Sequence, residues 1–121
     1  MSAVTPHERV QLARRPDRPR VSAYISTLFD DFFETHGDRA AGDDGAILCG
    51  AALFEGRPVT VAGHVKGTDL NSSLAANFGM MNPEGYRKFR RAILQAEKFG
   101  RPVVTFIDTP GANPAAEAEE R

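Results

Sequence analysis

The stretch that decides the fold of this chain is Val103-Val104-Thr105-Phe106-Ile107. This short apolar run has no polar alternation, which is typical of a strand that is covered on both faces of a parallel sheet. A polar loop follows it directly and begins Asp108-Thr109-Pro110-Gly111. Open α/β sheets bind their ligands at the carboxyl ends of the strands, so this loop is the first candidate for a functional site.

A helix is predicted immediately before this strand. Asn82-Pro83-Glu84 offers a cap, a proline for the first turn and an early acid, and Gly100 ends the helix. The spacing of its apolar residues predicts a buried stripe that consists of Tyr86, Phe89, Ile93 and Ala96.

Two earlier runs, 46–54 and 59–65, have the apolar character of strands. The tight turn expected at Glu55-Gly56 predicts that they form an antiparallel hairpin. Strand 59–65, the helix and strand 103–107 follow one another in the order of a βαβ unit, so the two strands are expected to be parallel with a right-handed connection. The polar segment 66–81 between them is predicted to be irregular. The pattern as a whole predicts an α/β fold.

The chain is expected to start with a short helix. Thr5 and Glu8 form a capping-box pattern around Pro6, and Pro16 ends the helix. The basic segment 14–20 then connects this helix to the next one. It is either a solvated linker or a contact with a partner subunit or an anionic ligand.

A second helix is predicted over residues 21–33, where apolar residues repeat every three or four positions. Ser22 is expected to cap its start, and Gly37 is expected to follow its end. The polar face of this helix would carry Asp30, Asp31 and Glu34. Adjacent acids can hold a metal ion, but a solvated helix face explains them without one.

Composition and charge exclude several classes of protein. The 121 residues are the size of one domain, and 15 basic against 16 acidic side chains give a net charge of −1, which does not support nucleic-acid binding. No apolar run approaches the roughly 18 residues of a membrane span, and no signal peptide is present, so a cytoplasmic protein is expected. The single cysteine, Cys49, excludes an internal disulfide and a cysteine-rich zinc site, and its apolar surroundings predict a buried thiol.

The loop after strand 103–107 contains a possible anion-binding turn. Asn113 is expected to cap a last helix over residues 114–121, which leaves the N–H groups of Ala115 and Ala116 free. Free amides at a helix N-terminus stabilise negative charge, and amides aimed at a carbonyl oxygen form one side of an oxyanion hole. The acids behind them are either a catalytic base or ordinary first-turn acids, and they are Glu117, Glu119 and Glu120.

Two other interpretations of this region use different residues. An apolar strand followed by Asp108-Thr109-Pro110-Gly111 is similar to the switch of GTPases, but the phosphate-binding pattern G-x-x-x-x-G-K-[ST] is missing from the sequence. His64 ends the predicted strand 59–65 and is followed by Lys66. It is either a catalytic base that faces a cleft or a hydrogen-bonded histidine at a strand end.

Ten short motifs occur in order along nearly the whole chain. They are Val10-Gln11-Leu12-Ala13-Arg14, Asp17-Arg18-Pro19, Phe29-Asp30-Asp31-Phe32, His36-Gly37-Asp38-Arg39, Asp43-Asp44-Gly45-Ala46-Ile47, Lys66-Gly67, Asn77-Phe78-Gly79-Met80, Asn82-Pro83-Glu84-Gly85-Tyr86-Arg87-Lys88, Ala96-Glu97-Lys98-Phe99 and Phe106-Ile107-Asp108-Thr109-Pro110-Gly111-Ala112. From about Val10 to Arg121 this pattern strongly resembles the carboxyltransferase alpha subunits of bacterial acetyl-coenzyme A carboxylase.

The resemblance implies a partial crotonase-like (ClpP/crotonase) fold of ββα units with added N-terminal helices. It implies transfer of a carboxyl group from carboxybiotin, held on a separate carrier protein, to acetyl-CoA, which gives malonyl-CoA for fatty acid biosynthesis. The implied partners are a zinc-bearing carboxyltransferase beta subunit, the biotin carboxyl carrier protein and biotin carboxylase. No metal is expected in this chain, and neither a nucleic acid nor a membrane is expected as a partner.

The resemblance also implies the site residues. The backbone oxyanion donors would be Gly111, Ala115 and Ala116, and the cofactor-binding residues would be Lys66, Gly67, Ala112 and Asn113. The family has a glycine-bearing step after Gly-Ala, whereas this chain has Asn113-Pro114-Ala115-Ala116. The amides survive that change, although alanine lacks the backbone freedom of glycine.

This interpretation divides the chain into two segments and leaves two alternative functions open. Residues 1–20 are expected to form the N-terminal helix and basic connector, and residues 21–121 an incomplete carboxyltransferase domain. The family continues into a glycine-rich loop that supplies a second oxyanion donor, and this sequence stops before it, so a truncated chain that is inactive alone is expected. The alternatives are a carboxyltransferase for another acyl-CoA and a non-catalytic fragment that only binds partner subunits.

Overall fold

A four-stranded sheet in the order β1-β2-β3-β4 separates two helical layers. The structure is a computed structural model, and it describes residues 3–121. The helices are α1 (Pro6–Ala13), α2 (Val21–Leu28), α3 (Leu70–Ala75), α4 (Pro83–Phe99) and α5 (Ala116–Glu120), with a single 3-10 turn at Asn77–Gly79. The strands are β1 (Asp30–Thr35), β2 (Ile47–Phe54), β3 (Arg57–His64) and β4 (Val103–Phe106).

The predicted hairpin and the predicted βαβ unit are both confirmed. Strands β2 and β3 pair antiparallel through the turn at Glu55-Gly56. Strand β3 then pairs parallel with β4, with Thr60 opposite Val103 and Gly63 opposite Phe106. The α/β fold class is therefore correct, and β2, β3 and α4 form one ββα unit. The expectation that strand 103–107 is covered on both faces is wrong, because β4 ends at Phe106, Val103 is 38% exposed and Ile107 is 81% exposed.

The predicted helix over residues 21–33 is wrong in its second half. Helix α2 ends at Leu28, and the next residues form β1, which pairs antiparallel with β2. Aromatic residues at this point suit an extended strand as well as a helix, and pairing with the free edge of β2 decides between the two. Phe33 is 72% exposed, so the apolar stripe does not continue. Ser22 is not the cap, because α2 is preceded by Arg20, and Gly37 follows a strand.

The segment 66–81 is more regular than predicted. Asp69 and Ser72 form a capping box that starts α3, with Ser72 N–H donating to the Asp69 carboxylate at 2.8 Å. No residue of α3 is buried, so the helix has no apolar stripe that sequence patterning could detect. The helix predicted at Thr5 is confirmed, including its capping box with Glu8.

Each face of the sheet carries its own apolar cluster. Helix α2 packs Val21 and Ile25 against Val59 and Val61 on one face. The close approach of α2 requires Gly63, because a Cβ there would lie 2.4 Å from Val21 Cγ2. On the other face, α4 and the segment before it cover a second cluster whose members are Ala46, Ile47, Cys49, Ala62, Met81 and Ala92.

The buried face of α4 differs from the predicted stripe. Ala96 is buried as expected, but Tyr86 is 50% and Ile93 is 38% exposed. The buried residues of α4 are Glu84, Gly85, Lys88, Ala92 and Ala96. Two of them are charged, and both have ionic partners, which is the condition under which charged side chains become buried.

The loop before β2 fixes α4 through hydrogen bonds to charged groups. The ammonium group of Lys88, 2% exposed, donates to the Asp43 carboxylate at 2.8 Å and to the carbonyl of Ile47 at 2.9 Å. Asp44 Oδ2 accepts the N–H of Asn82 at 2.7 Å, and Asp44 Oδ1 accepts the N–H of Ala46 at 2.9 Å. Helix α4 is thereby attached at its N-terminus and one turn further on.

A second ion pair extends this attachment. Arg87 Nε donates to Asp38 Oδ2 at 2.6 Å, and Asp38 Oδ1 accepts three backbone N–H groups of its own loop. The bond from Arg87 and the backbone bonds, against the opposing effect of burial, hold the pKa of Asp38 well below its usual range.

We expect Gly85→Ala to destabilise the protein although alanine is the better helix former. A Cβ at residue 85 would lie 2.2 Å from Asp44 Oδ2, so the carboxylate that accepts the Asn82 N–H has to move. Overpacking of this kind costs about 1–3 kcal/mol in the free energy of unfolding, which urea denaturation measures. Gly42→Ala is the control, because nothing lies within 4 Å of its Cβ position. Equal stability of the two variants would contradict the role assigned to Asp44.

Candidate functional site

Strands β3 and β4 run parallel and end at the same edge of the sheet, as the βαβ prediction requires. The residues that follow them, 64–67 and 108–116, therefore lie side by side. The N-terminus of α4 and the end of the connector before α2 also reach this edge. Four separate parts of the chain thus meet at the candidate site.

Asp108 lies at the centre of this edge. Its Oδ1 lies 3.0 Å from Lys66 Nζ, and its Oδ2 lies 3.7 Å from Arg20 Nη1. Both cationic side chains are largely buried, with 17% exposure for Lys66 and 13% for Arg20. One carboxylate therefore faces two cations, and the cluster has an excess of positive charge. Within residues 3–121, the Nε atom of Arg20 is buried without a hydrogen-bond partner.

His64 holds the backbone of the same residue. Its Nδ1 accepts the N–H of Asp108 at 3.1 Å. Burial lowers the pKa of His64, and nearby Lys66 adds to that effect while Asp108 opposes it. Of the two roles left open by the sequence, the structure shows the hydrogen-bonded histidine at a strand end.

The loop 109–116 is anchored on the start of α4. Thr109 Oγ1 donates to the carbonyl of Gly79 at 2.5 Å and accepts the N–H of Gly111 at 3.1 Å. Asn113 N–H donates to the carbonyl of Met81 at 3.0 Å, and its side-chain amide donates to Asn82 Oδ1 at 2.6 Å. The loop is therefore held near both of its ends.

The predicted cap of the last helix is wrong. Helix α5 begins at Ala116 with Ala115 in the capping position, and Asn113 Oδ1 instead accepts the N–H of Ala115 at 3.0 Å. This places α5 two residues later than expected, because the Asn113 side chain closes a turn before the helix instead of capping it. The Ala115 N–H is accordingly occupied, contrary to the expectation from sequence.

The backbone donors of the loop differ in whether they already have an acceptor. The N–H groups of Gly111 and Ala115 donate to side chains of the loop, and that of Asn113 donates to the carbonyl of Met81. Those of Thr109, Ala112 and Ala116 have no acceptor among residues 3–121, and of these three residues Ala112 and Ala116 are exposed. The two exposed amides are the ones available to an external oxygen atom.

Lys66 and Gly67 lie next to this loop. The Lys66 ammonium is paired with Asp108, so it acts on the loop through that carboxylate. Gly67 packs against the start of α3, where a Cβ would lie 2.1 Å from the backbone nitrogen of Ser73. Only glycine permits this close approach of the two backbone segments.

A cavity of about 370 Å³ opens beside the loop on the α4 side of the sheet. Its walls are almost entirely apolar and include Met81, Tyr86, Phe89, Ile107 and the imidazole of His64. A smaller cavity of about 250 Å³ lies on the α2 side, and its walls include Arg18, Tyr24, His64 and Asp108. His64 therefore lies between the two cavities.

The remaining candidates from sequence have simpler surroundings. Asp30 and Asp31 belong to β1, and both are exposed. Within residues 3–121, no cluster of three or more His, Cys, Asp or Glu side chains could hold a metal ion. No helix in that range is long and apolar enough to cross a membrane. The basic connector is partly tied down, because Arg15 pairs with Asp17 and Arg20 with Asp108.

Sequence reasoning missed the part played by Arg20. It was grouped with the other basic residues of the connector, and 88 positions of sequence separate it from Asp108. Its place directly before α2, whose apolar residues pack on the sheet, is the one local signal.

A family model described as "Acetyl co-enzyme A carboxylase carboxyltransferase-like" matches residues 1–121. Relatives named "Acetyl-coenzyme A carboxylase carboxyl transferase subunit alpha" include one from Bacillus velezensis, 58% identical over 116 residues, which are 96% of this chain and 36% of the relative. One from Heliobacterium modesticaldum is 57% identical over 118 residues, 98% of this chain and 35% of the relative. The chain thus spans about a third of the length of these relatives.

A solved structure of the beta subunit of P. aeruginosa geranyl-CoA carboxylase has the same fold. The match has a TM-score of 0.63 at 23% sequence identity and covers 93% of this chain and 21% of that one. At this identity the likeness shows the fold alone, and the partial crotonase-like fold expected from sequence is confirmed.

We expect Cys49 to resist alkylation until the protein unfolds. The thiol is fully buried, and burial raises its pKa to about 11 from the usual 9.0. Two pKa units alone lower the thiolate fraction about 100-fold, so iodoacetamide at pH 8 should label the native chain at least about 100-fold more slowly than the urea-unfolded chain. Labelling of the native chain at the rate of an exposed thiol would contradict a purely structural role.

Proposed function

Because this chain belongs to the acetyl co-enzyme A carboxylase carboxyltransferase-like family, we propose that it is part of a carboxyltransferase alpha subunit. The reaction is the transfer of a carboxyl group from carboxybiotin to acetyl-CoA, which gives malonyl-CoA for fatty acid synthesis in the cytoplasm. The names of relatives that are 56–58% identical support this assignment.

The observation that carries the proposal is the pair of available amides in the loop after β4. The N–H groups of Ala112 and Ala116 are exposed and have no acceptor among residues 3–121, while Thr109 and Asn113 hold the loop that contains them. Preorganised backbone donors of this kind stabilise a developing oxyanion without reorganising during the reaction. The loop has the form expected of an oxyanion-binding segment.

When bound, carboxybiotin would supply the carboxyl group, and negative charge would develop on its ureido oxygen as that group is transferred. Amides at the start of α5 would donate to that oxygen, with Ala116 as the donor already free. Gly111 and Ala115 join it if the substrate oxygen displaces their present side-chain acceptors, Thr109 and Asn113. The side chains of Ala115 and Ala116 have no chemistry of their own, so the role belongs to the backbone.

The residues next to these amides would contribute to carboxybiotin binding by holding the loop in place. Lys66 fixes Asp108 at the first residue of the loop, and Gly67 allows the segment after β3 to lie against α3. Asn113 joins the loop to α4, and Ala112 pairs with Met81 in an isolated parallel bridge. Together they would hold the loop in the form that receives the carboxybiotin ring.

The proposal includes partner proteins. Acetyl-CoA and carboxybiotin have to meet at the exposed loop, so a second protein would cover it and bring the CoA thioester. We assign this role to a zinc-bearing carboxyltransferase beta subunit, with carboxybiotin delivered by the biotin carboxyl carrier protein after its carboxylation by biotin carboxylase. The exposed positions of Gly111, Ala112 and Ala116 support an intersubunit site.

We expect Ala116→Pro to reduce carboxyl transfer sharply in the full-length subunit assembled with its beta partner. Proline deletes the free N–H, and residue 116 is the first residue of α5, where proline is well tolerated. Ala115 before it is already extended, with φ −65° and ψ 152°, as a residue before proline prefers. Loss of one oxyanion donor costs about 10²–10³-fold in kcat, which malonyl-CoA formation measures.

Ala116→Gly is the matched control, because it retains the N–H and should keep a near-normal rate. Ala115→Pro deletes an amide that is bonded within the loop and tests whether that amide is also recruited. Full rates in both proline variants, with assembly intact, would refute the assignment of this loop as the oxyanion donor.

The 121-residue chain by itself is expected to form no malonyl-CoA above background. It has one donor segment, and the proposed CoA-binding surface is on another protein, so positioning and charge stabilisation are both incomplete. The assay supplies carboxybiotin and acetyl-CoA, first to the chain alone and then with the beta subunit. Turnover by the chain alone would contradict the shared site, and tight binding of the beta subunit to a full-length chain without turnover would favour a purely binding function.

A further inference from the structure

His64 lies where the pairing of β3 with β4 ends and the loop 108–116 begins. Earlier in this pairing, Thr60 N–H donates to the carbonyl of Pro102 at 2.8 Å. In a parallel ladder, every second residue of a strand bonds to the neighbouring strand through both its N–H and its carbonyl. Counted from Thr60, the residue in this position four residues later is His64, and its backbone carbonyl would accept the N–H of Asp108. That N–H instead donates to Nδ1 of the His64 imidazole at 3.1 Å. The side chain therefore replaces the next backbone acceptor and ends the sheet.

We propose that His64 is a positioning residue for carboxyl transfer, whose neutral imidazole fixes the point at which the loop 108–116 leaves the sheet. This inference rests on the proposed function. The imidazole sets the backbone at Asp108, and four residues later the same loop presents the free N–H of Ala112.

The other contacts at the start of the loop act on different atoms. Lys66 and Arg20 pair with the carboxylate of Asp108. The hydroxyl of Thr109 donates to the carbonyl of Gly79. The bond to His64 is the contact of the Asp108 backbone nitrogen. A displacement of about 1 Å at a reacting centre costs about 10²-fold in rate. If loss of this bond shifts the loop by that distance, the fall in kcat is large enough to measure.

The bond requires an imidazole that is unprotonated at Nδ1. The titratable and charged groups around His64 are Arg18 and Arg20 of the connector, Tyr24 of α2, Lys66 after β3, Tyr86 of α4 and Asp108 after β4. Burial, the largest cause, together with Lys66 and against Asp108, lowers the pKa of His64 below 6.5. The hydrogen bond is therefore present at neutral pH, and it is lost as the pH falls through the lowered pKa of His64.

Two substitutions separate this role from simple packing. His64→Asn places Oδ1 close to the position of Nδ1, so it keeps an acceptor for the Asp108 N–H and no longer titrates. His64→Leu fills similar space without an acceptor. If the leucine variant does not assemble, His64→Gln replaces it. The amide oxygen of glutamine lies one bond further from the backbone than Nδ1 of histidine, so it does not supply an acceptor at the same position.

The experiment uses the full-length subunit assembled with its beta partner. We expect kcat to fall about 10²-fold in His64→Leu, with a smaller change in KM for acetyl-CoA, and to stay within a few-fold of the wild type in His64→Asn. In the wild type, kcat should fall as the pH is lowered below 6.5, and this fall should be smaller in His64→Asn. At a fixed pH of 7.5, hydrogen exchange of the peptide over residues 107–113 should be faster in His64→Leu alone.

Hydrogen exchange keeps the two proposals distinguishable. An assembled wild type that transfers no carboxyl group refutes the proposed function, whereas the exchange comparison still tests the hydrogen bond. Wild-type exchange and wild-type kcat in His64→Leu would overturn the positioning role. So would equal losses in the leucine and asparagine variants, since the retained acceptor would then have no effect.

Discussion

The buried ammonium group of Lys88 is the contact on which the arrangement of this chain depends. It joins a helix to the loop before β2 through the Asp43 carboxylate and the carbonyls of Asp44 and Ile47. Burial of a charged group is costly unless its hydrogen bonds are satisfied, and here three acceptors surround it. This requirement fixes the rotation of α4 and explains why Tyr86 and Ile93 stay partly exposed.

The same attachment positions the candidate site. Asp44 accepts the N–H of Asn82 at the start of α4, and Asn82 in turn accepts the side-chain amide of Asn113 in the loop after β4. A continuous series of hydrogen bonds therefore runs from the loop before β2 to the segment with the free amides. The carboxylates of Asp38 and Asp43 ionise more readily in the folded chain than in the unfolded one. Their contribution to stability is present above the ordinary pKa of 3.8 and is lost as the pH falls below it.

Several residues of the family motifs turn out to be structural. Asp38, Asp43 and Asp44 come from two motifs near the start of the chain, and Arg87 and Lys88 come from the motif that opens α4. Arg87 pairs with Asp38 and Lys88 pairs with Asp43, while the Asp44 carboxylate accepts the Asn82 N–H at the start of α4. The motif residues closest to the proposed chemistry contribute backbone amides and positioning contacts. In this chain these motifs therefore mark a fixed geometry at the base of α4.

The sequence by itself determined the hairpin, the βαβ unit, the helix that starts at Pro83, the buried Cys49 and the family, because each leaves a local pattern of apolar or turn residues. It did not determine the cap of that helix, since the Asn82 side chain bonds Asn113 instead of the first turn. It also pointed to the loop after β4, since a strand that ends in Asp-Thr-Pro-Gly is visible without coordinates. Only the tertiary structure decided that residues 30–35 form a strand, because pairing with β2 outweighs their helical spacing. It alone brought Arg20, His64 and Lys66 to Asp108, and it alone showed that the Asn113 side chain occupies the Ala115 amide. These contacts join residues far apart in the chain or depend on the angle of one turn, and neither is encoded in local spacing.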